Sequence, residues 1–162
     1  MNVPIPDQPH QADRQHTGFP HHVLVAVDGS RESVAAAALA AELAAGSGGN
    51  VTVLAVIVLP ASTLDVFDGS SVAEALAATV RDMTDDAVEV CRRAGIEATV
   101  RHRRLGFGGI GREIAAAAAD GGCDLIAVGH RRRLGSIALR VVTEAGCPVA
   151  VVPAREEVAR EP

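Results

Sequence analysis

The sequence predicts an α/β protein, a single doubly wound (Rossmann-like) domain with a five-stranded parallel sheet and helices on both faces. Three observations carry this. Short apolar, β-branched runs recur (VLVAV at 23–27, VTVLAVIVL at 51–59, LIAV at 125–128, PVAVV at 148–152), as expected of strands covered on both faces. Between them lie Ala-rich stretches whose apolar positions step by three or four, the period of a helix. The two patterns alternate along the chain, and regular βα alternation implies a parallel sheet with right-handed crossovers. With 162 residues, 48% of them hydrophobic, the chain can form one core without disulfides or obligatory oligomerisation.

Residues 1–20 (MNVPIPDQPHQADRQHTGFP) contain four Pro and no periodicity, which predicts a disordered N-terminal arm. The folded domain is expected over 21–153, leaving 154–162 as a C-terminal tail. The first strand ends at Asp28-Gly29-Ser30. Ser30 is placed to cap a helix with Glu32 in its first turn, running to Gly46. The second strand stops at Pro60, and 60–71 read as a polar loop in which Asp65, Asp68, Ser70 and Ser71 are loop and cap residues. From Val72, the spacing of Leu76, Val80, Met83, Ala87, Val90 and Cys91 predicts a long amphipathic helix closed by Gly95. Ile96, Ala98 and Val100 alternate with Glu97, Thr99 and Arg101, the pattern of a half-exposed strand near a sheet edge. A Gly-rich turn then leads to a helix over 111–119. The fourth strand is followed by Gly129 and a basic loop. Ser136 is expected to cap the last helix, ending near Ala145 before the fifth strand.

Aromatic residues make up 2% of the chain, so Val, Leu, Ile and Ala must fill the core, which suits helices packed closely through Ala faces. A net charge of −5 argues against nucleic-acid and membrane partners, since both require a dominant positive field. Every basic residue is Arg, and Arg101, Arg103, Arg104, Arg112, Arg131, Arg132, Arg133 and Arg140 cluster in one quarter of the sequence. Guanidinium suits bidentate anion binding, while an all-Arg composition is equally explained by genomic base composition. Cys91, Cys123 and Cys147 are far apart, with no C-x-x-C pair for zinc or redox chemistry. They are expected to be buried free thiols in a reducing compartment. No run reaches the roughly 18 apolar residues of a membrane span, and no secretory signal is visible, so a cytoplasmic location is expected.

Three segments together resemble the universal stress proteins: LVAVDGS (24–30), DLIAVG (124–129), and Gly135-Ser136 followed by AGCPVAVVP (145–153). They stand in that family's order and at its separations, and the similarity covers residues 22–153, nearly the whole folded part. The resemblance implies a sheet in the order 3-2-1-4-5. In such a sheet ligands bind outside the carboxyl ends of the strands where the order reverses, between strands 1 and 4. The loops meeting there are Asp28-Gly29-Ser30 and Gly129 to Ser136. The resemblance also implies an adenine nucleotide such as ATP as the ligand, with Asp28 near the adenosine. Asp28 has a second reading, as a turn residue bonding to its own backbone, and one residue can do both.

The phosphate loop of the family reads G-x2-G-x9-G-[ST]; its glycines let backbone amides and the next helix N-terminus approach phosphate. Here the outer glycines are Gly129 and Gly135, six positions apart (135 − 129) where that pattern has thirteen, and Arg132 stands at the middle glycine. The segment Gly129-His130-Arg131-Arg132-Arg133-Leu134-Gly135 has two readings. In one, Arg131, Arg132 and Arg133 replace backbone amides and hold a small phosphate against the helix at Ser136. In the other, the arginines are solvated surface in a member whose nucleotide binding is weak, altered or lost.

The literal G-x-G-x-x-G at 106–111 follows an edge-type strand, and no acid stands about 20 residues on, so it is not read as a dinucleotide fingerprint. His10, His16, His21 and His22 lack metal-ligand spacing. His102 and His130 have no sequence-visible orienting partner, and no G-x-S-x-G occurs, so no catalytic residue is assigned and the protein is expected to be non-enzymatic, the alternative being an ATP- or AMP-binding sensor with slow ATPase activity. The last strand, apolar and at a sheet edge in the implied order, is a pairing template that predicts a homodimer, as in similar proteins. The expected role is in stress response or signalling through protein partners.

Overall fold

The computed structural model describes residues 18–59, 69–131 and 134–154. Within them the chain runs β1 (His22–Val27), α1 (Arg31–Ser47), β2 (Asn50–Ile57), α2 (Gly69–Arg93), β3 (Thr99–Arg104), α3 (Ile110–Asp120), β4 (Leu125–His130), α4 (Ser136–Glu144) and β5 (Val149–Pro153). The strands form one sheet in the order β3-β2-β1-β4-β5, and every pairing is parallel.

Strand alternation divides the core into two layers. Val23, Val25 and Val27 of β1 and Val51 and Val53 of β2 face α1 and α2, meeting Ala36, Ala37, Ala40, Ala41 and Ala44 together with Ala87 and Cys91. Leu24, Leu54, Ile126 and Val128 point the other way, against Ile114 and Ala118 of α3 and Ala138 and Val141 of α4. The five buried alanines of α1 lie at helical spacing, so a smooth face of single methyls lets α1 lie close across the middle of the sheet. Each fully buried Val, Leu or Ile contributes roughly 1.5–3 kcal/mol.

Ser30 caps α1 as expected: its φ of −74° and ψ of 158° are extended, and its side chain accepts the Ser33 amide. The helix outlasts Gly46, however, and Gly48 is the residue that turns left-handed (φ 70°) to end it. Helix α2 begins at Gly69, so Gly69, Ser70 and Ser71 belong to its first turn rather than to a loop. Asp65 and Asp68 lie outside the described residues. Gly135, not Ser136, is the N-cap of α4, without a side-chain cap bond. Strand β3 is more exposed than its alternation predicts: of Thr99–Arg104 only Arg103 is half-buried. Ile96 and Ala98 do pack on the core, but the chain then runs out along the sheet edge. Residues 1–17 of the expected arm, and 155–162 of the expected tail, fall outside the described residues. The end of the arm is fixed: Pro20 is fully buried, and its carbonyl accepts the Ser47 hydroxyl at 2.6 Å.

Candidate functional site

Strand order reverses between β1 and β4, and the loops leaving their carboxyl ends diverge to opposite faces. The β1 loop is a tight turn. The Ser30 amide donates to Asp28 Oδ1 at 2.9 Å, and Gly29 adopts φ +81°, a conformation that excludes most side chains. The turn is then tied into α1: the Ser33 amide donates to Ser30 Oγ at 3.2 Å, and the Ser33 hydroxyl donates to the Ser30 carbonyl at 2.9 Å. Partial burial of the Asp28 carboxyl works against its ionisation. Hydrogen bonds from Ser30 and Ser33 outweigh that and hold its pKa below the ordinary Asp value. The result is a preorganised, exposed carboxylate at the mouth of a cavity.

That cavity, about 180 Å³, lies over the ends of β1 and β4 and includes Asp28, Ser30, Ser33 and Gly129 in its lining. Apolar walls come from Met83, Ile110 and Ile137. Pockets for whole drug-sized ligands run roughly 300–1,000 Å³, so this one has room for part of a nucleotide, such as its base.

Of the sequence-predicted residues, Asp28, Ser30 and Gly129 converge here. Gly29 instead backs onto α2, where an added Cβ would stand 3.3 Å from the Asp82 carbonyl oxygen. Arg131 is highly exposed, and its Nε lies 3.9 Å from Glu32 Oε1, so its charge is shared with the first turn of α1. Arg132 and Arg133 lie outside the described residues. Gly135 and Ser136 open α4, but Ile137 is the α4 residue that reaches the cavity. Gly135 has φ −75° and ψ 166°, and nothing lies within 4 Å of where its Cβ would be. Neither crowding nor an unusual backbone requires glycine there.

Sequence reasoning missed Ser33, Met83, Ile110 and Ile137 as site residues. Ser33 carried a faint signal, a hydroxyl one turn beyond a capping Ser in an otherwise Ala-rich helix. The other three converge through topology alone. The last glycine of the 106–111 motif serves packing: a Cβ on Gly111 would come within 2.6 Å of Arg140 Cβ on α4. Among the described residues no three His, Cys, Asp or Glu side chains converge as a metal site, and no helix is long and apolar enough to cross a membrane.

A doubly wound parallel sheet with a cavity at its switch point defines a Rossmann-like α/β protein. The model of the universal stress protein family matches residues 20–153, and the chain belongs to that family. A universal stress family protein from Burkholderia pseudomallei is 28% identical, with a TM-score of 0.65 over 82% of this chain and 96% of that one. The universal stress protein of Archaeoglobus fulgidus, solved in complex with dAMP, is 26% identical, with a TM-score of 0.60 over 82% of this chain and 97% of that one. An Arabidopsis thaliana family protein with AMP bound, 18% identical, shares the fold with a TM-score of 0.64 over 85% of this chain and 94% of that one. No protein of curated function matches the chain.

Proposed function

We propose that this protein is a non-enzymatic, dimeric stress-response or signalling protein of the cytoplasm that binds adenine nucleotides weakly, through the nucleoside rather than through the phosphates. The observation that carries the reading is the pairing of the small Asp28 cavity with a shortened loop. The base has a walled recess, and the exposed Asp28 carboxylate can accept from a ribose hydroxyl or the adenine amine. The β4–α4 connection, by contrast, is too short to wrap a triphosphate, and Glu32 sits beside its first arginine. The dAMP complex of the Archaeoglobus relative supports an adenine ligand for this architecture.

Calorimetric titration of ligand-free protein with ATP, ADP, AMP and cyclic AMP tests the reading. Comparable, weak affinities for AMP and ATP are expected, because the added phosphates find no cradle. ATP binding tenfold or more tightly than AMP, on the order of 1.4 kcal/mol, would instead establish the second reading, a true nucleotide sensor with an Arg-based phosphate site. That reading is favoured by the exposed guanidinium of Arg131 at the edge of the site, and neutralising Arg131, Arg132 and Arg133 would then abolish the preference.

The dimer rests on β5. This edge strand carries half-buried Val149, Val151 and Val152, and an apolar edge left bare is a template for pairing with a second copy. Light scattering across a dilution series should return twice the chain mass; a monomer at every concentration would exclude this interface.

A further inference from the structure

The cavity beside Asp28 lies on the α3 face of the sheet, since its lining takes Leu54 and Val56 of β2, Ile114 of α3 and Val128 of β4, all members of the core layer under α3 and α4. Its apolar walls are aliphatic or thioether, and no described lining residue is aromatic. The connection from β3 to α3 passes the same end of the sheet on the same face. It leaves beside β2, where the Leu105 amide donates to the Ile57 carbonyl at 2.8 Å, and folds into a turn closed from the Gly109 amide to the Gly106 carbonyl at 3.3 Å. It ends at Ile110, which belongs to the cavity wall.

Phe107 stands at the tip of that turn, three residues before Ile110. It is fully exposed, whereas no other large apolar side chain of the described residues exceeds 60% exposure. The chain has no Trp or Tyr and only three Phe. Phe19 precedes β1, at the opposite end of the sheet, and Phe67 lies outside the described residues. The Phe ring at the cavity end is thus held in water, where it forfeits the gain of covering an aromatic face. Its neighbours leave it free to turn: Gly106 precedes it and Gly108 and Gly109 follow, the last at φ +83° with nothing within 4 Å of where its Cβ would be. Three residues of chain span at most roughly 10 Å, so rotation about these glycines brings the ring to the cavity mouth from its anchor at Ile110. Aliphatic walls leave a seated base without a stacking partner, and an aromatic ring supplies one, more strongly for the larger purine π-system than for a pyrimidine.

We propose that Phe107 closes over the cavity and stacks on the outer face of a bound base, which makes the site selective for purine over pyrimidine nucleotides; this rests on the reading of the Asp28 cavity as a nucleoside site. The test is calorimetric titration of the full chain and of Phe107→Ala with AMP, UMP and ribose 5-phosphate. The parent should bind AMP at least roughly fivefold more tightly than UMP, and Phe107→Ala should lose at least that factor for AMP, the lower end of one base–aromatic stack. Affinity for ribose 5-phosphate and Tm should be unchanged, because the ring is exposed. In Phe107→Trp the new indole is the chain's only Trp, and AMP should quench its fluorescence whereas ribose 5-phosphate should not. A parent that does not distinguish AMP from UMP, a Phe107→Ala variant that binds AMP as the parent does, or an indole whose fluorescence ignores AMP overturns the stacking role and leaves the nucleoside site standing. A parent that binds no AMP overturns both.

Discussion

Gly129 and Glu32 meet backbone to backbone: a Cβ at position 129 would stand 2.4 Å from both the carbonyl carbon and oxygen of Glu32, and 2.7 Å from the Ser33 amide nitrogen. The end of β4 thus rests directly on the first turn of α1. Glycine is required there by packing, whatever ligand the loop meets. Gly129→Ala should destabilise the protein by roughly 1–3 kcal/mol, the cost of overpacking a tight contact, and lower Tm by roughly 2–10 °C for a chain of this size. Gly135→Ser, at an open N-cap with ordinary dihedrals, should be neutral or stabilising by a few tenths of a kcal/mol. Calorimetric unfolding of the two variants checks the contrast, and equal tolerance at both positions would refute the packing account of Gly129.

The contrast also shows what a sequence encodes locally and what it does not. β-Branched runs, the Ser30 cap and the spacing along α2 are properties of short stretches, so elements and their order could be read directly. In Gly46-Ser47-Gly48-Gly49 three glycines compete to end α1. The choice of Gly48 is settled by the neighbouring strand, since the Asn50 amide must reach the His21 carbonyl, at 2.8 Å. Gly129 and Gly135 are likewise indistinguishable as letters; only the approach of α1 separates a glycine that must be one from a glycine that need not. Met83, Ile110 and Ile137 come from three helices and meet at one cavity, a convergence without any local pattern.

Ser30 and Asp28 are linked in one turn yet separable by substitution. Ser30→Ala removes the acceptor of the Ser33 amide and should cost about 1 kcal/mol, the usual loss of an N-cap. Asp28→Asn keeps an oxygen for the Ser30 amide but loses the ionised carboxylate that the turn favours, so it should be modestly less stable than the parent near neutrality. Its AMP affinity should fall by roughly tenfold, as when a charge-assisted hydrogen bond is lost. A variant that binds AMP normally would leave Asp28 as a turn residue only.

Asp124 sets part of the acid limit of the fold. Its carboxylate spans the entrances of β4 and β1, Oδ2 accepting the His21 amide at 2.8 Å and Oδ1 the His22 amide at 3.0 Å. Desolvation opposes its ionisation, but these two amides outweigh it and hold the pKa below the ordinary Asp value of 3.8. A depressed folded-state pKa contributes stability that is present above the unfolded value and lost as pH falls through the folded one. Asp124→Asn should therefore be less stable than the parent near neutrality, and the gap should narrow in urea unfolding below about pH 4. A gap independent of pH would mean that the side chain acts by shape alone.

The three thiols should react in an order set by burial. Cys91 is fully buried between α2 and the Ala face of α1, whereas Cys123 and Cys147 are only partly buried, contrary to the expectation that all three are enclosed. Burial nevertheless raises the pKa of each. For Cys123, pushed up to about 11, Cys147 is the next contributor after burial. The thiolate is the nucleophile, so iodoacetamide should label Cys123 and Cys147 slowly near neutral pH and faster as pH rises, leaving Cys91 unmodified until the protein unfolds. Cys147→Ser removes one negative neighbour and should speed alkylation of Cys123 at alkaline pH, followed peptide by peptide in a mass spectrometer. Labelling of Cys123 at the rate of an unfolded control at neutral pH would overturn both the burial argument and the coupling between the two thiols.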